Sequence, residues 1–370
     1  FATRVELYLK KTLRDQQTLL FIDEVQESPS VLELLRFFAE NRPGLHVVVA
    51  GSLLEAKMGG KWSVPVGRVE YAYLYPLTFF EYLRATGQSQ WRSYIEKLKI
   101  GDDISEDKTL KKLFLEYMLA GGLPEVVRSV VEDKGINMVK EIQERLQSAY
   151  GDDIGNYARN VEKKYVELVM RTGPKLAGGL FKYENMGESG YRSREVREAV
   201  DTLEKIMLLT QVQAINNTTL PLFSKPKRAK KMIWLDIGLV NYANKSHETV
   251  FEGSYQGRLM EQIVGQTLIA GGVRKKTEVF YWARNRDEGS AEVDFCIQYG
   301  NYVVGIEVKS GNTREMKSLF SMMVSDPGKV IPLRVSWDKL GTEEYKYSGK
   351  KYNVLSLPFY LLERWEEFIS

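Results

Sequence analysis

Cysteine is almost absent. Cys296 is the one thiol in 370 residues, so an internal disulfide is excluded and a reducing compartment is the simplest setting. Histidine is nearly as scarce, with His46 and His247 the only two. That argues against a zinc site built on imidazoles and against a Ser-His-Asp triad. No apolar run approaches the ~20 residues that span a bilayer, and no signal peptide is visible. A cytoplasmic protein without a membrane partner is therefore expected. Excess charge of one sign is missing too. Lys and Arg number 52 and Asp and Glu 49, which leaves a net +3. That is too little to establish a polyanion partner, so any basic patch must be found locally. Internal repeats and low-complexity stretches are absent. What remains is an ordinary globular mix, 44% hydrophobic and 27% charged. At roughly 150 residues per domain, the length predicts two or three domains.

Residues 18–52 read as strand, helix and strand. Leu19-Leu20-Phe21-Ile22 and His46-Val47-Val48-Val49-Ala50 are continuous apolar runs. Such runs suit parallel strands buried on both faces. Between them Leu32, Leu35 and Phe38 recur at helical spacing, after Ser28-Pro29 and before Asn41-Arg42-Pro43-Gly44. This is a β-α-β unit, which predicts a mostly parallel sheet. Residues 76–150 read as mainly helical, with Gly121-Gly122-Leu123-Pro124 as an interruption. Ser193 to Leu209 carries Val196, Val200, Leu203 and Ile206 on one helical face. The segments around Leu208–Ile215 and Lys231–Leu235 look strand-like, and helices followed by a ribbon form the pattern of a winged helix. From residue 254 onward, a helix with Leu259, Met260, Ile263, Val264 and Leu268 leads into several strands.

Three constellations carry chemistry. The first is the apolar strand 19–22 ending in Asp23-Glu24, which has the form of a Walker B motif. Ligands of open α/β sheets bind at that edge. Asp23 could hold a phosphate-bound Mg²⁺, and Glu24 could polarise the attacking water. The bland alternative is a pair of acids near a helix start. The P-loop G-x-x-x-x-G-K-[ST] that should precede such a strand occurs nowhere, and Gly59-Gly60-Lys61-Trp62 fails the pattern. Only 22 residues precede Asp23. Two expectations follow: either a preceding segment supplies the P-loop, or the nucleotide site is lost.

The second constellation lies on two alternating segments, Glu292–Gln298 and Tyr302–Lys309, joined by Tyr299-Gly300-Asn301. A register that buries both apolar faces gathers Asp294, Glu307 and Lys309 on one side. Two carboxylates there could bind Mg²⁺ while the lysine orients a water, and Glu261 on the preceding helix could complete the cluster. An acid, a hairpin and then E-x-K is the spacing of the PD-(D/E)XK nuclease motif. Its bland counterpart is a hairpin with solvated charges on one face.

The third is basic. Arg192, Arg194 and Arg197 open the helix expected to act in recognition, while Lys225, Lys227, Arg228, Lys230 and Lys231 crowd the expected wing. Such a cluster could neutralise several DNA phosphates, or it could be a solvated loop.

Together these stretches resemble a prokaryotic AAA-type ATPase family whose members carry a C-terminal domain of unknown function. The matching stretches are Leu-Leu-Phe-Ile-Asp-Glu-Val-Gln at 19–26, Val-Val-Ala-Gly-Ser at 48–52 and Val-Gly-Arg at 66–68. They continue with Leu-Tyr-Pro-Leu-Thr-Phe-Phe-Glu-Tyr-Leu at 74–83, Gly-Gly-Leu-Pro-Glu-Val-Val at 121–127, Trp-Leu-Asp-Ile-Gly-Leu at 234–239 and Gly-Arg-Leu-Met-Glu-Gln at 257–262. The resemblance implies an α/β protein in four parts. These are a truncated parallel-sheet ATPase core at 1–85, a helical lid at 86–150, a winged helix at 151–245 and a restriction-endonuclease-like α/β domain at 246–370. It implies ATP and Mg²⁺ as cofactors, with Asp23 and Glu24 as Walker B acids and Ser52 as a polar sensor. Arg68 would meet a γ-phosphate, in a neighbouring subunit if the protein is a homo-oligomer. Asp294, Glu307 and Lys309 would form the nuclease-like triad. Three functions are then open: an ATPase driving a DNA-binding, nuclease-like module; a nucleotide-dependent switch that binds DNA or protein without cutting; and a nuclease whose ATPase half is vestigial.

Overall fold

The computed structural model describes residues 2–51, 67–104, 108–157, 163–245, 253–285, 291–311, 315–325 and 329–369. Ser52 and His247 lie outside them. The chain divides into two compact units, Phe1–Ala72 with Asp201–Leu208, and Tyr73–Val200 with Leu209–Ser370.

The first unit holds the expected β-α-β element. Strand β1 (Leu19–Ile22) pairs in parallel with β2 (His46–Val49), from Leu19 opposite His46 to Ile22 opposite Val49. The helix Pro29–Asn41 connects them. Its start is set by proline at the first position rather than by a side-chain cap, because the Ser28 hydroxyl faces the Ser30 hydroxyl at 3.2 Å. Leu13, Leu20, Phe38 and Leu45 form the small core. One expectation is corrected here. The continuous apolar run suggested burial on both faces, yet Leu20 is buried while Leu19 and Phe21 are 60% and 56% exposed. A strand sends successive side chains to opposite faces, and the helix covers one of them.

Among the described residues, the second unit is built on a nine-stranded mixed sheet. Its strands are β3 (Leu180–Phe181), β4 (Leu209–Ile215), β5 (Lys230–Trp234), β6 (Phe280–Ala283), β7 (Glu292–Tyr299), β8 (Tyr302–Lys309), β9 (Val330–Ser336), β10 (Gly341–Tyr347) and β11 (Lys350–Pro358). They lie in the order β10-β11-β9-β8-β7-β6-β4-β5-β3. The β7–β8 hairpin forms as predicted, with Gly300 at φ +55° in the turn. Both sheet faces are covered at the hairpin: Val303 and Val304 are each fully buried, and Cys296 packs with Trp282, Val293 and Leu319. Cys296 is thus a core residue, and burial pushes its thiol well above the usual range.

The helix Ser193–Lys205 and the β4–β5 ribbon arise where a winged helix was expected. The ribbon does not stand apart, however. β4 also pairs in parallel with β6, Gln213 opposite Phe280, so main-chain bonds cross the expected boundary at residue 245. The reason is an open edge: one side of β4 bonds β5, and the other side still needs partners for its N–H and C=O groups.

Three of the sequence stretches quoted above meet in one knot. Thr78 and Glu81 form a reciprocal capping box that starts the helix Phe79–Ala85. Just before it, the Leu77 N–H donates to the Gly122 carbonyl at 2.7 Å, and the Tyr117 hydroxyl donates to the Leu77 carbonyl at 2.9 Å. The Gly122 N–H in turn donates to Asp236 Oδ2 at 2.7 Å, and Asp236 Oδ1 accepts from the Gly238 N–H at 2.9 Å as the N-cap of the helix Ile237–Ala243. A Cβ on Gly122 would fall within the radius of the Leu77 carbonyl oxygen.

Nearby, Glu363 Oε1 accepts the Phe80 N–H at 2.9 Å. Burial raises this carboxyl to about 7, against the Phe80 and Thr78 hydrogen bonds that favour its charged form. A carboxyl raised on folding stabilises the fold when protonated. Its contribution is present below the unfolded value and is lost as pH rises through about 7. Thermal unfolding is expected about 2–4 °C higher at pH 6 than at pH 8 on this account, and Glu363→Gln should shrink the gap. An unchanged gap in the variant would assign the pH dependence elsewhere.

Candidate functional site

The site grows from a pair of adjacent lysines. Lys230 and Lys231 sit on β5, where neighbours point to opposite faces. Lys230 is half-buried, 3.2 Å from Gln211 Oε1 and 5.6 Å from the Tyr183 ring centre. Lys231 points the other way and is 1% exposed. β5 is held on both edges, with Lys231 opposite Val212 on β4 and Leu180 on β3, so the lysine has a fixed base.

Three carboxylates converge on its ammonium. Glu261 Oε2, from the helix Gly253–Ala270, lies 2.5 Å from Lys231 Nζ. Glu292 Oε1 and Asp294 Oδ1 lie at 3.5 and 3.6 Å, and the Asp294 carbonyl accepts at 3.2 Å. Glu292 and Asp294 reach the same place because they are two apart on β7. The Phe295 and Tyr281 rings sit 4.9 and 5.9 Å from Nζ. Burial alone would favour the neutral amine, but Asp294, Glu261 and Glu292 outweigh it and hold the ammonium above its ordinary range. The cost appears on the acids. Burial, joined by the charge of Asp294, raises Glu261 to about 7 against the pull of Lys231. Burial also raises Glu292.

Asp294, Glu307 and Lys309 lie beside this group. Asp294 and Glu307 lie one step beyond the Phe295–Ile306 pair of the hairpin. Asp294 Oδ2 accepts the Val308 N–H at 2.8 Å, and Lys309 Nζ bonds Glu307 Oε1 at 2.8 Å. Glu307 is 6% exposed, and its Oε2 is buried without a hydrogen-bond partner. Burial, with Asp294 adding like charge, raises its carboxyl to about 7. Asp294, Glu307 and Lys309 are therefore brought together, and Glu261 joins them through Lys231. Among the described residues, no group of three or more His, Cys, Asp or Glu is arranged to hold a metal ion.

The basic residues separate. Arg192, Arg194, Arg197 and Lys227 are exposed, and Arg194 pairs with Glu198 at 3.1 Å. Arg197 lies 5.9 Å from the Tyr183 ring centre. Lys225 and Arg228 are half-buried, and Arg228 donates to the Arg284 carbonyl at 2.8 Å. Lys231 is removed from the surface set altogether: the sequence places it among the phosphate contacts, and the β5 alternation turns it into the core instead. Sequence reasoning also missed Glu292. Its signal is the two-residue step from Asp294 on the same alternating segment.

In the first unit, Asp23 and Glu24 are exposed at the carboxyl end of β1. Asp23 Oδ1 accepts the Glu24 N–H at 3.0 Å, and Glu24, at φ +48°, accepts from the buried Gln26 amide. The Val25 N–H donates to the Ala50 carbonyl at 3.0 Å, which ties this turn to the end of β2. Arg68 pairs with Glu40 at 2.9 Å. Ser52 falls outside the described residues.

Residues 2–83 match the profile of an AAA domain. Residues 111–249 and 256–360 match those of two domains of unknown function, DUF8612 and DUF4143. Lys231 thus comes from one matched segment and its carboxylates from the next. No curated protein matches the chain. No helix among the described residues is long and apolar enough to cross a membrane. Together, the AAA-domain match and the DUF4143 match indicate an AAA-type ATPase family.

Proposed function

We propose that this chain is an AAA-type ATPase whose nucleotide cycle changes how a C-terminal, nuclease-like module engages nucleic acid. The observation that carries the ATPase half is an acidic pair exposed at the carboxyl end of a parallel strand, within the segment that matches an AAA domain. Asp23 would hold the Mg²⁺ that accompanies ATP, and Glu24, steadied by Gln26, would polarise the attacking water. In a protein whose preceding segment supplies the P-loop, Glu24→Gln should lower Mg²⁺-dependent phosphate release by about 100-fold or more while ATP binding persists. Equal turnover in the two proteins would remove Glu24 from the chemistry.

The nucleic-acid half rests on exposed Arg192, Arg194, Arg197 and Lys227, with half-buried Lys225, Arg228 and Lys230 and with Arg197 and Lys230 both near the Tyr183 ring. Changing Arg192, Arg194 and Arg197 to alanine together should weaken DNA binding without regard to sequence. The slope of log affinity against log salt should fall by about 2–3. An unaltered slope would take these arginines out of the interface.

One observation favours binding over cutting. Asp294, Glu307 and Lys309 follow the acid, hairpin and E-x-K order of a nuclease motif, yet the ammonium of Lys231 already stands among Asp294, Glu261 and Glu292. Mg²⁺ or Mn²⁺ added to the protein with linear or supercoiled DNA should give no cleavage. Cleavage that disappears in both Asp294→Ala and Lys309→Ala would reverse this choice.

A further inference from the structure

Three carboxylates from two elements point at one position, and that position is filled by a tethered cation. Lys231 is the one buried lysine among the described residues. A buried ammonium is costly unless its charge is met, and here it is met on several sides. Divalent ions of the Mg²⁺ and Ca²⁺ kind demand the same surroundings, a cage of carboxylate and carbonyl oxygens. The oxygens of Glu261, Glu292 and Asp294, with the Asp294 carbonyl, lie 2.5–3.6 Å from Nζ. Both oxygens of Asp294 are already engaged: Oδ2 takes the Val308 N–H and Oδ1 faces Lys231. Glu307 keeps one buried oxygen without a partner, while its other oxygen is held by Lys309. As arranged, these residues do not fit a divalent ion.

We propose that Lys231 is the resident cation of this site. Its ammonium takes the place a divalent metal would occupy, and the module keeps the acidic geometry of a hydrolase without recruiting a metal. This deepens the reading of a module that binds without cutting, and it rests on that reading. The aliphatic stem and the fixed β5 backbone make the cation permanent. A metal can leave into solution and be chelated, whereas a side chain cannot.

Manganese binding tests the proposal. Free Mn²⁺ is titrated by electron paramagnetic resonance against the full chain and against the Asp294→Asn/Glu307→Gln double variant, without ATP or DNA. The two should bind the same number of ions. Lys231→Met, which keeps the stem and removes the charge, should gain about one Mn²⁺ per chain, and adding Asp294→Asn should abolish the gain. An ion bound by the unaltered chain and lost in the double variant would overturn the proposal, as would a folded Lys231→Met protein with no gain. If circular dichroism shows that Lys231→Met does not fold, the first comparison decides alone. Because only Mn²⁺ is counted, the answer does not depend on whether the chain hydrolyses ATP or binds DNA.

Discussion

Gly122→Ala is expected to destabilise the second unit by on the order of 3 kcal/mol. The added methyl would meet the Leu77 carbonyl oxygen, which is backbone and cannot swing aside as a long side chain would. Relieving the clash requires the two segments to separate. The Leu77 N–H would then lose the Gly122 carbonyl, and Asp236 would lose the Gly122 N–H. Asp236 is 1% exposed, and burial already raises its carboxyl to about 6 against the backbone donors that favour its charge. Removing one of those donors leaves a buried carboxylate poorly satisfied, which adds to the steric cost. Urea denaturation at neutral pH measures the effect. A loss under about 1 kcal/mol would show that the knot relaxes without consequence. Gly87→Ala is the matched control, because a Cβ there meets nothing although φ is +75°. It should carry only the smaller cost of left-handed backbone.

Lys231→Ala is expected to cost about 3–5 kcal/mol near pH 8, the usual penalty for breaking a buried ion pair by deleting one partner. Glu261, Glu292 and Asp294 would then face one another without a counter-charge. The sign of the pH dependence separates this cause from simple loss of packing. Glu261 sits at about 7 even with Lys231 present, and removing the lysine takes away a group that lowers it. In the variant the folded state therefore binds protons more tightly than the unfolded state, and stability rises as pH falls. The deficit measured at pH 8 should shrink at pH 6. A deficit independent of pH would mean that the lost stem, not the lost charge, is responsible. Lys231→Met provides the same comparison with the packing retained.

The β-α-β element and the β7–β8 hairpin were legible because their signals are local. A proline at a helix start, a two-residue turn and period-two alternation each act over a few residues. The grouping of Asp294, Glu307 and Lys309 followed from that alternation alone. The one-sided burial of β1 was not legible, since an apolar run reads the same whether one face or two are covered. The joining of β4 to β6 was equally hidden, because Gln213 and Phe280 are distant in sequence and no local rule pairs them.

Lys231 marks the division most sharply. The amino-acid order alone determined the strands, the acids at their ends and the side of the hairpin on which those acids fall, because short-range sterics and periodicity act within each segment. Only the tertiary structure decided that a lysine from one segment enters the acidic centre of another. Electrostatic meaning depends on what lies within a few ångströms, and burial then sets whether a charge is solvated or must be answered by its neighbours.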